Sequence, residues 1–194
     1  MGEKSLLRQQ LRARHQGREV RDRESVLMCG HILASDLYRN ARIIGGYMPL
    51  AREADVMPVL TDVLHTGRTL ALPLCGQAPD MTLRRVASLD DLVPGSYGIL
   101  EPRADTEIIP VSQLDLLLVP LEGIDPKGRR LGKGGGYYDC LLSKGNPVTL
   151  GCVLSWQWTD QIPCEPWDKP LHACADRHGV HMFDLSIHSK EGKR

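Results

Sequence analysis

The chain has 194 residues, 42% hydrophobic and 25% charged, enough for one substantial core and short of a clear two-domain length. Lys plus Arg and Asp plus Glu both number 24, so the formal charge is zero, which argues against a generic nucleic-acid binder. No apolar run has the length of a signal-peptide core or a bilayer span, and Glu3, Glu19 and Asp22 count against an Arg-rich mitochondrial leader; the chain reads as cytoplasmic, with no membrane partner.

Residues 3–16 predict a helix, with Leu7 and Leu11 one turn apart. Lys4, Arg8 and Arg12 recur every four residues on it, a stripe that spacing alone reads as a solvated basic face. A second helix is predicted near 22–39, with Val26, Cys29, Leu33 and Leu37 on its apolar face. "ARIIGGYMPL" reads as a buried strand ending at a turn. "ADVMPVLTDVLHTG" reads as a helix with Asp55 as N-cap and Gly67 just past its end. "TLALPL" and "MTLRRVA" are short strands, and "VPGSYGILEP" an ordered loop. "LDLLLVPLEGI" is almost continuously apolar, as a central strand covered on both faces should be. A helix over about 137–144 is stopped by Gly145, "VTLGCVLSW" is another buried strand, and order is expected to end near Ile187. This alternation predicts an α/β fold: a single three-layer domain over 1–187, a mostly parallel central sheet flanked by helices, and a polar tail at 188–194. The six cysteines form no C-x-x-C pair and are expected to be reduced, mostly buried thiols.

The stretch "RLGKGGGYYD", residues 130–139, carries the chemistry. It sits between the central strand and a helix, at the carboxyl end of the sheet, where ligands of open α/β folds bind. Gly132, Gly134, Gly135 and Gly136 lack Cβ atoms, so backbone N–H groups can approach an anion closely. The next helix adds unpaired N–H groups, and Lys133, with Arg129 and Arg130, adds full positive charge. Together these make a phosphate cradle; the alternative is a glycine-rich turn that only permits tight packing. Walker A is ruled out because Gly134, not Ser or Thr, follows Gly132-Lys133, and the G-x-G-x-x-G spacing is also absent. The nearest hard ligand for magnesium is Asp139, one turn into the helix.

The core "R-L-G-x-G-G-G-Y-Y-D", with "KSLLRQQLR", "YMPLAREADVMPVL", "LALPL", "YGILEP" and "WDKPL" in order, resembles the 5-formyltetrahydrofolate cyclo-ligase family over nearly the whole chain. The resemblance implies an enzyme that uses Mg-ATP to turn 5-formyltetrahydrofolate into 5,10-methenyltetrahydrofolate, with ADP and phosphate released, acting as a monomer. It also implies roles. Lys4, Arg8, Arg130, Gly132, Lys133, Gly134, Gly135, Gly136, Tyr137 and Asp139 would contact ATP, with Arg130, Lys133 and Tyr137 serving catalysis. Tyr47, Met48, Glu53, Tyr97, Ile99 and Tyr137 would contact folate, and Asp139 and Asp168 would hold Mg2+. Tyr138 is expected to be a core aromatic under the helix. The chain departs from the family at Glu122, Ile124 and His172; a carboxylate at 122 would repel ATP unless it is paired or points away. His172, Cys174, His178 and His181 match no zinc spacing and read as scattered histidines, and Cys140 as a packing thiol. Two other readings stay open: a nucleotide- or folate-binding regulatory relative, and an enzyme for another heterocycle.

Overall fold

The computed structural model describes residues 2–165 and 167–185, the side chain of Tyr97 excepted. The expected end of order near Ile187 and the tail at 188–194 lie outside the described residues. The elements are α1 (Glu3–Ala13), α2 (Arg18–Ala34), α3 (Asp36–Arg39), β1 (Ile43–Gly45), α4 (Met57–His65), β2 (Thr69–Cys75) and β3 (Met81–Val86). Then come β4 (Val93–Pro94), β5 (Leu100–Glu101), β6 (Leu116–Val119), β7 (Gly123–Ile124), β8 (Arg130–Leu131), α5 (Tyr137–Ser143), β9 (Val148–Cys152), β10 (Ala173–Asp176) and β11 (Gly179–Met182).

Seven strands form one sheet in the order β11-β10-β9-β6-β1-β2-β3. The five inner strands run parallel, and β3 and β11 close the edges antiparallel. The mostly parallel sheet expected from the sequence is therefore present. Leu116 and Leu118 of β6 pack into one cluster with Met28, Ile32, Val59 and Leu60 of α2 and α4. Leu117 and Val119 face the other way, into a cluster with Leu141 and Leu142 of α5 and with Ile109, Val111 and Leu114. Alternate residues of one strand thus bury on opposite faces, which is why the sequence there carries no polar alternation.

The topology fixes where a ligand can bind. From β1 the chain crosses to β2 on one side, while β6, β9 and β10 extend the sheet on the other. The order reverses between β1 and β6, and the crevice past their carboxyl ends opens there.

Several elements differ from expectation. The second helix starts at Arg18 and breaks at Ser35, whose backbone is extended and whose hydroxyl caps α3 by accepting from the Tyr38 N–H. Its buried face is Ser25, Met28, Cys29 and Ile32, while Val26 is 66% exposed and Leu33 and Leu37 only half-buried. Two polar residues on the inner face hid this pattern: Ser25 accepts from the Asp55 N–H, and buried Glu24 accepts from the Ser155 N–H and Arg177. The expected central strand over 114–124 stops at Val119, because Pro120 cannot donate to the ladder. Its remainder becomes β7, paired antiparallel with β8. "VPGSYGILEP" is a β4–β5 hairpin with a 3-10 turn at Ser96–Gly98. The N-cap of α4 is Val56, not Asp55 as expected; Asp55 stands one residue earlier and accepts from the Met57 N–H, and Gly67 follows the helix at φ +70°.

All six cysteines are free, but only Cys29, Cys152 and Cys174 are fully buried; Cys164 is exposed. Burial pushes the Cys29 and Cys174 thiols up to about 12, so both stay protonated packing groups. Among the described residues no helix is long and apolar enough to cross a membrane.

Helix α1 docks outside these layers. Leu11 is 1% exposed and clusters with Leu131 and Ile162. Because α1 also carries Lys4 and Arg8, we expect Leu11→Ala to cost about 2–4 kcal/mol in chemical denaturation. A loss below about 1 kcal/mol would show that Leu11 does not anchor α1.

Candidate active site

The crevice at the β1/β6 switch is a cavity of about 580 Å3, a size that suits a small-molecule site. It draws on segments far apart in the sequence. Tyr47 and Met48 follow β1, Ile99 comes from the hairpin turn, Lys4 and Arg8 reach in from α1, and Asp168 comes from the loop before β10. The glycine stretch supplies Arg130, Gly132, Lys133, Gly134, Gly135, Gly136, Tyr137 and Asp139. Every site residue expected from the sequence lines this one cavity, except Arg129, which turns away from it, and Tyr97, whose side chain lies outside the described residues.

The β7–β8 hairpin explains how the glycine stretch reaches the crevice. β8 pairs back onto β7, so the chain emerges at Gly132 beside the end of β6. Gly134 at φ +103° and Gly136 at φ +71° then turn it into α5; any other residue would be strained there. Gly136 is the N-cap and no side chain caps α5, so the first amides of the helix meet no competing acceptor from a cap.

The charges in the cleft are arranged in pairs. Lys133 Nζ lies 2.6 Å from Glu53 Oε1, and Lys4 Nζ lies 2.5 Å from Asp168 Oδ2. Arg130 forms an ion pair with Asp139, and its guanidinium stands 5.8 Å from the ring centre of Tyr138. Arg8 donates from Nε to the Gly132 carbonyl at 2.7 Å, tying α1 to the loop. Glu53 is buried and also accepts from the Leu50 N–H at 2.8 Å. The stripe on α1 is therefore not a solvated face: Lys4 and Arg8 line the cleft. Arg12, the third member, clamps Glu122 through two hydrogen bonds of 2.9 and 3.0 Å. That pairing answers the concern over Glu122, which does not line the cavity. Glu122→Gln should leave the KM for ATP within about twofold and cost under about 1 kcal/mol, since the pair is partly exposed. A larger fall in KM would mean that the carboxylate repels the nucleotide after all.

Other expectations are corrected. Arg129 lends no charge to the cleft; it is buried and pairs with Asp125, 2.7 Å from Nε to Oδ2. Asp125 is fully buried and also accepts from the Lys127, Arg129 and Ile162 N–H groups, so this ion pair organises the loop. Tyr138 packs on the core as expected but also lines the cavity. The ring of Tyr47 lines the cavity while its hydroxyl donates to the Ala54 carbonyl; burial drives its pKa well above the ordinary value. His172 accepts at Nδ1 from the Thr149 N–H, which fixes β9 against β10, and burial lowers its pKa, keeping the ring neutral. His181 pairs with Asp176, and His178 accepts from Arg177. Glu101 and Trp167 line the cavity and were missed. Glu101 was hidden inside an apolar hairpin, and Trp167 beside the aspartate that drew attention.

Among the described residues no group of three or more His, Cys, Asp or Glu side chains could by itself hold a metal. Asp139 and Asp168 nevertheless fit a Mg2+ that arrives with phosphates, which needs only one or two carboxylates. The pairing to Arg130 engages one oxygen of Asp139, and Lys4 and the Glu165 N–H share one oxygen of Asp168.

The chain is similar to known proteins over most of its length. Residues 1–175 match the family model described as the 5-formyltetrahydrofolate cyclo-ligase family. The 5-formyltetrahydrofolate cyclo-ligase of Escherichia coli (strain K12) is 31% identical over 141 residues, covering 69% of this chain and 76% of that protein. The Mus musculus protein of the same name is 29% identical over 183 residues, covering 88% and 89%. The solved structure of Aquifex aeolicus 5,10-methenyltetrahydrofolate synthetase superposes with a TM-score of 0.82 at 30% identity, covering 92% of each chain.

Proposed function

The chain belongs to the 5-formyltetrahydrofolate cyclo-ligase family, and on that premise we propose that it uses ATP to convert 5-formyltetrahydrofolate into 5,10-methenyltetrahydrofolate, releasing ADP and phosphate. One observation carries this reading: a cationic, glycine-lined wall and a largely apolar wall bearing carboxylates meet in one cavity. A reaction that transfers a phosphoryl group from a polyphosphate to a substituent of a heterocycle needs both within bonding reach.

The formyl oxygen of the substrate is amide-like and leaves poorly. Transfer of the γ-phosphoryl group to that oxygen breaks the bond to ADP and produces an iminium-like carbon. N10 then attacks that carbon and the ring closes; the carbon–oxygen bond breaks, and phosphate departs with the proton that N10 gives up. The protein has to align formyl oxygen with phosphorus, match the phosphate charge and keep water out.

In this reading the amides of 132–136 accept no proton and donate to phosphate oxygens. Lys133 and Arg130 match the charge that develops during transfer. Lys4 and Arg8 hold the nucleotide, and Tyr137 hydrogen-bonds the moving group. Glu53, Tyr47, Met48, Tyr97 and Ile99 contact the folate. Asp139 and Asp168 hold Mg2+, which when bound neutralises phosphate charge. A reducing compartment such as the cytoplasm suits this assignment, because the six cysteines are free.

The test is stoichiometric. ADP release from purified protein should require 5-formyltetrahydrofolate and should yield one ADP per methenyl product. ADP release at the same rate without folate would make the cleft a plain ATPase and overturn the reading.

A further inference from the structure

Three ion pairs line the cavity among the described residues: Lys4 with Asp168, Arg130 with Asp139, and Lys133 with Glu53. The first two join groups assigned to the nucleotide and its metal. The third crosses the cleft. Lys133 belongs to the glycine stretch and Glu53 to the chain that follows β1, so a group assigned to phosphate holds a group assigned to folate.

The two halves of this pair are unequal. Glu53 is buried, and its Oε2 accepts from the Leu50 N–H at 2.8 Å, which fixes the carboxylate to its own segment. Its surroundings are dry: burial first, and the Glu53 charge second, drive the Tyr138 hydroxyl well above its ordinary pKa. A buried carboxylate without a partner costs free energy, and Lys133 Nζ, 2.6 Å from Oε1, offsets that cost. Lys133 is nearly half exposed and stands between Gly132 and Gly134, so its ammonium can swing to another anion while Glu53 cannot follow.

Each ligand claims one half of the pair. A phosphate that draws Lys133 away leaves Glu53 Oε1 unmatched. A folate N–H that donates to Oε1 competes with the ammonium for it and turns Lys133 loose. Whichever ligand arrives first has to part the pair, at a small cost. The second finds its half already released and binds without that cost. Linkage then requires each ligand to tighten the other by the same factor.

We infer that the Lys133–Glu53 ion pair couples the nucleotide and folate subsites, so that binding at either one strengthens binding at the other. This rests on the ATP and folate reading of the cleft. Both ligands are anions, and direct repulsion between them works in the opposite direction. Mutual tightening is therefore the signature of the pair.

The test is calorimetric titration of native protein with 5-formyltetrahydrofolate, alone and with a saturating non-hydrolysable ATP analogue and Mg2+, followed by the reverse pair of titrations. The folate Kd should fall about 3- to 10-fold when nucleotide is present, and the nucleotide Kd should fall by the same factor when folate is present. Glu53→Gln and Lys133→Met should each bring that factor to within about 1.5-fold of unity, whatever they do to the separate affinities. Glu53→Gln should also bind the analogue alone at least as tightly as native protein, because Lys133 is no longer held. Weaker binding there would mark a structural residue and overturn the inference. A native factor within about 1.5-fold of unity, or mutual weakening, overturns it too. So does a factor that survives in either variant, since the ligands would then sense each other by another route. The native factor decides the matter if a variant fails to fold. Native protein that binds the analogue but no folate, with or without nucleotide, would sink the family reaction and the coupling together. The first titrations separate that outcome from the others.

Discussion

Replacing Lys133 with methionine should lower kcat/KM for ATP about 1,000-fold, with most of the loss in kcat. The ammonium sits in the glycine stretch beside Arg130 and 2.6 Å from Glu53, so it is the mobile cation of the cradle. Its side chain is 45% exposed, while that of Glu53 is 8% exposed. Lys133 can therefore leave the pair for a phosphate at small cost, whereas Glu53 stays. Arg8, Arg130 and the loop amides remain in the variant, so nucleotide affinity should fall far less than turnover. The variant also strands a buried carboxylate, which should cost about 1 kcal/mol in urea unfolding. The double variant Lys133→Met/Glu53→Gln separates the two effects. It should recover the stability without recovering turnover. Recovery of both would mean that Lys133 matters only for holding Glu53.

The second large effect is expected at Asp139. Its side chain leaves the first turn of α5, pairs with Arg130 and lines the cavity. Asparagine keeps the shape but removes the charge that a hard cation needs. At saturating ATP, Asp139→Asn should lose at least about 100-fold in kcat and require more Mg2+ for half-maximal rate. An unchanged Mg2+ requirement with reduced kcat would instead assign Asp139 to orienting Arg130. A circular dichroism melt close to native would exclude collapse of α5 as the cause.

Much of this site was legible because its chemistry is written in consecutive residues. The run from Arg130 to Asp139 puts glycines, cations beside them and an acid at helical distance in ten residues, and the structure places them on one cavity wall. The helical stripe of Lys4, Arg8 and Arg12 was visible as spacing, but nothing local said which partners it would meet. Those partners, Asp168, the Gly132 carbonyl and Glu122, lie more than 100 positions away, as their separations of 164, 124 and 110 residues show. The parallel sheet followed from apolar strands alternating with helices, and the ligand crevice from the position of the glycine stretch after β6. The inner face of α2 was misread because Ser25 and Glu24, themselves buried, spend their polarity on the Asp55 and Ser155 N–H groups, which a hydrophobic pattern cannot register. Arg129 was misread for a related reason: next to Arg130 in sequence, it turns into a buried pair with Asp125 while its neighbour turns to the cleft. Glu101 escaped notice because an acid between Leu100 and Pro102 in a short hairpin looks exposed. Only the closure of the hairpin over it shows otherwise.

The central claim is that this cleft transfers a phosphoryl group from ATP to a formylated reduced folate and closes its ring. Its most direct test is the near-ultraviolet absorbance of the methenyl product in a mixture of purified protein, 5-formyltetrahydrofolate, ATP and Mg2+. The account predicts a steady rise that needs all four components and vanishes with Lys133→Met. A flat trace from folded protein that still binds ATP would contradict the reaction, leaving a phosphate cradle beside a pocket for some other heterocycle.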